Sequence, residues 1–149
     1  MANAIELLQK DHKTVEDLFT KFEKEKDPSS KEGKEIAQRI FVELQAHAQI
    51  EEEIFYPKLQ DASTKAVSLV GEAVDEHHAV EGLIDQLSAA DPKSEEYAAM
   101  MKTLMSNVRH HVEKEHNKVF PLAEKELKDQ LDEMGKQIQG RKKEVRQAA

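Results

Sequence analysis

Four histidines each stand four residues ahead of a glutamate: His12 and Glu16, His47 and Glu51, His77 and Glu81, His111 and Glu115. On an α-helix such a pair lies about 6 Å apart along the axis and roughly 40° apart around it, so both side chains can reach one point beside the helix. Imidazole nitrogens and carboxylate oxygens together ligate divalent transition metals. A single pair is a weak signal, because charged helices carry such spacings by chance and a lone core histidine is commonly just hydrogen-bonded. Four pairs on four inward-facing stripes are a different matter. An ionised carboxylate is costly to bury without a partner, and little Lys or Arg competes for those stripes. Lys10, Lys13, Arg39, Lys102 and Arg109 fall on outward positions. A pair of divalent cations would satisfy the carboxylates and the neutral imidazoles together.

The pairs recur in a duplicated frame. "DHKTVEDLF" (11–19) matches "EHHAVEGLI" (76–84), and "HAQIEEEIFYP" (47–57) matches "HVEKEHNKVFP" (111–121), at offsets of 65 and 64 residues. The chain reads as two copies of one αα-hairpin. Packed about a pseudo-two-fold axis, they are expected to bring all four His-x-x-x-Glu pairs to the middle of a bundle.

The elements that must position these residues are long amphipathic helices. The first runs from about Asn3, a candidate N-cap, to Glu25, with Ile5, Leu8, His12, Val15, Phe19 and Phe22 on one face. After the breaker-rich "KDPSSKEG" (26–33) a second runs from about Lys34 to Leu59, with Pro57 expected to kink or end it. "DAST" (61–64) is read as a loop and cap for a third, carrying Val67, Val70, Val74, His77, Glu81, Ile84 and Leu87. "AADPKSEE" (89–96), with Ser94 as cap, leads to a fourth carrying Met101, Leu104, Val108, His111, Glu115 and Val119, up to Pro121. The fold class is all-α: an up-down-up-down antiparallel four-helix bundle over 1–124, with a polar helical extension over 125–149, weakened at Gly135 and Gly140 and ending in "RKKEVR" (141–146).

Other polar groups flank the pairs. His78 and His116 sit beside the inward stripes, Glu52 and Glu53 follow Glu51, and Tyr56 precedes Pro57. Glu16, Glu52, Tyr56, His78, Glu81 and His116 are candidates for additional ligands or for groups that orient ligands; Glu53 and His110 read as solvated.

Composition narrows the chemistry. The 149 residues suit one domain; they are 38% hydrophobic and 35% charged, with net charge -8. That acidity argues against nucleic acid and membrane surfaces as partners. With no cysteine, thiolate sites, disulfides and cysteine nucleophiles are excluded. No signal peptide or membrane span is evident, so a cytoplasmic location is expected, as a monomer or weak homodimer.

"KDH" at His12, "HAQIEEEIFYP", "EHHAVEGLI" and "HHVEKEHNKVFP" together resemble the bacterial hemerythrin-like proteins of the HHE cation-binding group, from about residue 3 to 124. The resemblance implies a non-haem di-iron centre, oxo- or hydroxo-bridged, with His12, His47, His77 and His111 as terminal ligands and Glu51 and Glu115 as bridges. It implies binding of, or reaction with, O2, peroxide or nitric oxide, with no catalytic residue beyond the metal site. Oxygen-carrying hemerythrins use five histidines and two carboxylates. Here Glu81 stands where their third helix has a second histidine, and His116 where their fourth has an aspartate. A carboxylate-rich site favours Fe(III), which suits peroxide decomposition (a catalase-like activity) or another oxidoreductase role better than reversible oxygen carriage. An iron- or oxygen-sensing module working through a separate partner is the alternative, with the basic tail as its reporter. Zinc or manganese are the alternative occupants.

Overall fold

The computed structural model describes residues 2–148, with side chains up to Val145, so Arg146 of the basic tail lies outside the described side chains. The helices are α1 (Ala4–Lys24), α2 (Lys31–Ile50), α3 (Tyr56–Ala62), α4 (Ala66–Ala89), α5 (Glu95–Lys114), α6 (Phe120–Glu126) and α7 (Leu131–Ala148). Two five-residue π-helical turns, Glu51–Phe55 and Glu115–Val119, join α2 to α3 and α5 to α6 without a break. Helix α1 pairs with α2 and α4 with α5, and α7 lies against α1, α2 and the first π turn. The architecture is the all-α bundle of two hairpins, with the tail folded onto it.

Local chemistry sets the ends. Asn3 caps α1 reciprocally: its side chain accepts from the Glu6 N–H at 3.0 Å, and the Glu6 carboxylate accepts from the Asn3 N–H at 3.1 Å. Ser30 and Ser94 cap α2 and α5 by accepting from the backbone N–H groups of Gly33 and Tyr97. The segment 61–64 behaves differently from its reading as loop and cap. Asp61 and Ala62 still belong to α3, and Ser63 and Thr64 serve α4 with backbone carbonyls, accepting from Ala66 and Val67.

Pro57 neither ends nor breaks its helix. A proline in a regular helix clashes with the carbonyl four residues earlier and cannot donate to it. The π turn accommodates this by shifting the register, so that Tyr56 N–H bonds the Glu51 carbonyl five residues back. Pro121 repeats the arrangement, with Phe120 N–H on the Glu115 carbonyl. The duplicated prolines therefore coincide with duplicated π turns, which are found mostly at functional positions.

The apolar core is two clusters. One holds Ile5, Leu8, Ile50, Phe55, Leu59, Phe120, Met134 and Ile138; the other holds Val15, Phe19, Phe22, Ile40, Leu44, Leu87, Met101 and Leu104. Between them lies a buried polar layer containing Asp11, His12, His47, Glu51, His111 and Glu115. On α4 the inward stripe runs through Ala66, Val70 and Ala73, so Val67, expected inside, is 53% exposed. Gly135 in α7 is a close-approach residue: a Cβ there would lie 2.6 Å from the Ala2 carbonyl oxygen.

Candidate metal centre

Each helix of the bundle contributes one imidazole to the polar layer. Nε2 of His12 (α1) lies 3.2 Å from Nε2 of His47 (α2), and Nε2 of His77 (α4) lies 3.3 Å from Nε2 of His111 (α5). The two π turns bring in the carboxylates. Glu51 Oε1 is 3.1 Å from both His47 Nε2 and His77 Nε2, so it joins the hairpins. Glu115 Oε1 is 3.0 Å from His12 Nε2 and 3.3 Å from His111 Nε2. Two metal-sized groupings result, His12/His47/Glu51/Glu115 and Glu51/His77/His111, and Glu51 belongs to both.

The outer nitrogens of three imidazoles are held by carboxylates. His47 Nδ1–H donates to Asp11 at 2.9 Å, His77 Nδ1–H to Glu52 at 2.8 Å, and His111 Nδ1–H to Glu76 at 2.8 Å. This fixes each ring's orientation and turns its Nε2 toward the centre, as ligating histidines require. His12 is the exception: its Nδ1 is buried with no hydrogen bond. In the duplicated frame His116 occupies the position of Glu52, so an imidazole, exposed and 5.7 Å from the His12 ring, stands where the other half has a carboxylate.

Aromatic rings close the layer on the side of the first core cluster. Tyr56 stacks on His77 at 5.6 Å and its equivalent Phe120 stacks on His12 at 5.7 Å. The Tyr56 hydroxyl donates to Glu115 Oε2 at 2.9 Å. Burial, then the charges of Glu51 and Glu115, push this phenol well above its usual range, so it remains a donor.

The protonation pattern reflects a site built around positive charge. Burial works against a charged His47, but the Glu51 charge and the Asp11 hydrogen bond outweigh it and raise its pKa to about 10. For His111 burial is again outweighed, by Glu115 and Glu51, and its pKa rises to about 11. Glu51 is fully buried, yet the His47 charge and hydrogen bonds from its neighbours hold it well below the carboxylate range. Two acceptor atoms in this layer, Glu51 Oε2 and Glu115 Oε1, still make no hydrogen bond. Buried acceptors without donors, beside two pairs of nitrogens in close opposition, suit the binding of cations.

The six residues read as principal ligands thus converge, and Tyr56 and Glu52 contact them. The expectation that all four His-x-x-x-Glu pairs meet in the middle is not met. Glu16 is on the surface in an ion pair with Arg109 at 3.0 Å. Glu81 is exposed and accepts from Gln45 at 3.3 Å; His78 is exposed too. Antiparallel packing explains this. Moving four residues onward from the histidine goes toward one end of the bundle on α2 and α5 and toward the other on α1 and α4. The carboxylates of the two sets therefore lie about 12 Å apart along the axis. Sequence reasoning passed over Asp11 and Glu76. The signal was present, since each is an acid immediately before the histidine of its helix and occupies the same place in the repeat.

A bundle of two αα-hairpins with a buried layer of histidines and carboxylates defines a cation-binding helical domain. The Hemerythrin HHE cation binding domain model matches residues 3–123, and the chain belongs to that family. A solved structure of a hemerythrin HHE cation-binding domain-containing protein from Mycobacterium kansasii superposes with a TM-score of 0.87 at 23% identity, covering 99% of this chain and 90% of that one. A protein from Nostoc sp. named DNA nickase is 27% identical over 146 residues. The match takes in 97% of this chain but spans only 40% of that relative.

Proposed function

We propose that the polar layer holds two iron ions and that the protein binds or reacts with O2, peroxide or nitric oxide as a stress-protective, peroxide-decomposing centre. The observation that carries this reading is the pairing of four imidazoles, two to a side, with two π-turn carboxylates between them. His12 and His47 would hold one ion and His77 and His111 the other, with Glu51 and Glu115 shared. Iron so held supplies binding and electron exchange for small oxygen or nitrogen species. Four donors per ion would complete a zinc site and would leave iron room for a further ligand; zinc has no redox chemistry, so the proposed reactivity calls for iron.

The protein's own part is selection and positioning. A narrow apolar cleft formed by Val15, Leu44, Val80, Ile84, Val108 and Val112 ends on the four imidazoles. A water-sized guest has about 40 Å³ in which to place its centre, several times what one water needs. This suits a diatomic or triatomic neutral guest and excludes larger or charged ones. Asp11, Glu52 and Glu76 hold the rings in place, and Tyr56 offers one proton donor at Glu115.

The test is anaerobic loading with ferrous iron, a count of bound iron, and addition of peroxide. Two irons per chain, a ligand-to-iron absorption absent from the apoprotein, and oxygen release abolished by His47→Ala with Glu51→Ala are the expected results. Colourless protein carrying zinc alone would overturn the iron assignment. Full iron loading without oxygen release would transfer the reading to an iron- or oxygen-sensing module. The attachment of α7 to Asp11 through Lys142 supports that second reading, because it links the site to a surface helix. The nicking activity in the Nostoc relative's name is set against a net charge of -8 here, and incubation with supercoiled plasmid checks it.

A further inference from the structure

The two halves of the centre hold their histidine-orienting acids in different ways. In the second hairpin Glu76 accepts from His111 Nδ1–H and also, at 3.1 Å, from Lys114 Nζ, a residue of the ligand helix itself. In the first hairpin Asp11 plays the part of Glu76 toward His47. The position equivalent to Lys114 is Ile50, which is fully buried in the core cluster that includes Met134 and Ile138 of α7. A lysine there would be buried beneath α7. The cation for Asp11 comes instead from α7: Lys142 Nζ donates to Asp11 Oδ1, 131 residues away in sequence. Lys142 stands one helical turn beyond Ile138, on the stripe of Leu131, Met134 and Ile138 that packs α7 down. Arg141 fastens the same turn by its ion pair with Glu53 at 2.7 Å. Asp11 is only 3% exposed. Without Lys142 it would be a buried carboxylate holding a single imidazole donor.

We propose that α7 is a part of the metal centre, and that Lys142 is the positioning residue that replaces in the first hairpin what Lys114 does in the second, holding Asp11 so that His47 presents Nε2 to the cation. The proposal rests on the reading of the polar layer as a two-metal site. It assigns to the extension a role beyond packing, and it makes the first half of the site depend on the far end of the chain.

Lys142→Met keeps the stem and removes the charge; Lys142→Arg keeps the charge; Lys114→Met is the counterpart in the other half. Each variant, as the full chain, is loaded with ferrous iron, and bound iron and its release to a chelator are followed, with helix content measured metal-free. Lys142→Met is expected to release one of two irons about 10- to 100-fold faster, the range seen for lost groups that orient ligands, with helix content unchanged and Lys142→Arg close to wild type. The effect is expected to vanish in a His47→Ala background and to persist in a Lys114→Met background, an outcome that general loosening of the fold would not produce. Two irons retained by Lys142→Met with wild-type release overturns the proposal while leaving the metal site standing. Loss of helix in metal-free Lys142→Met overturns it too, since Lys142 is then a folding residue. Wild type that takes up no iron overturns the two-metal reading itself and this proposal with it.

Discussion

Loading metal into the polar layer is expected to expel protons. In the metal-free protein His47 and His111, with pKa values raised to about 10 and about 11, are both protonated at pH 7. Their Nε2 atoms lie 3.1 Å from Glu51 and 3.3 Å from Glu115. A cation needs those same nitrogens as lone pairs, so its arrival replaces the two protons, while the Nδ1–H bonds to Asp11 and Glu76 remain. About two protons should therefore leave per protein filled, one for each cation, and the apparent affinity for each cation should rise by about tenfold per pH unit up to pH 9. Anaerobic calorimetry with ferrous iron in buffers of different ionisation heat counts them. The linkage has a stability counterpart. Both histidines titrate near 6.5 when unfolded and much higher when folded. Their contribution to metal-free stability is thus complete below about pH 6.5 and lost as pH climbs through about 10 and 11. The metal-free protein should melt at a lower temperature at pH 9 than at pH 6.5. Release of less than one proton, or affinity flat with pH, would refute the picture of a layer that keeps imidazolium ions where cations belong.

Other perturbations follow the same geometry. Glu51→Gln and Glu115→Gln should each lower iron capacity below two per chain, whereas Glu16→Gln and Glu81→Gln, changed outside the layer, should leave it intact. Tyr56→Phe removes the donor to Glu115 Oε2 and should cost the metal-free protein about 1–3 kcal/mol in urea unfolding, the penalty of an unsatisfied buried acceptor. Leu8→Ala, at a fully buried site in the core cluster beside the layer, should cost about 2–5 kcal/mol by the same assay, with metal stoichiometry retained.

Much of this centre can be read from helix periodicity because periodicity is a property of single helices. The stripes of Ile5, Leu8, His12, Val15 and Phe19, and the duplicate frame that pairs His47 with His111, need nothing beyond 3.6 residues per turn. What escaped that reading depends on relations between helices. Glu16 and Glu51 have the same spacing from their histidines, and only the antiparallel direction of α1 and α2 separates a surface ion pair from a buried carboxylate. Asp11 and Glu76 each serve a histidine of the neighbouring helix, which no single-helix pattern shows. Lys142 comes from an extension whose charged composition reads as solvated. The π turns are a further case: Pro57 reads as a kink or an end and Pro121 as the limit of its helix, yet their clash with the preceding turn is what the wider turn accommodates.

That accommodation bears on why the carboxylates are where they are. A π turn inserts one residue into the helical register and rotates everything after it by about 100°. Glu51 and Glu115 are the first residues of their turns, so both start where the register changes. The residues after the turn are re-aimed, and this brings Tyr56 over His77 and Phe120 over His12. With an unbroken α2, the tyrosine would face a different side of the bundle. The proline that seems to threaten the helix and the tyrosine that reaches Glu115 are thus two consequences of one insertion. Pro57→Ala, which removes the ring clash but leaves the sequence length unchanged, should therefore keep the bulge if the buried Glu51 and Tyr56 contacts hold it. Circular dichroism unchanged, with the Tyr56 hydroxyl still protected in the metal-free protein, is the expected result. A phenol that becomes solvent-titratable in Pro57→Ala would show instead that the proline itself sets the turn.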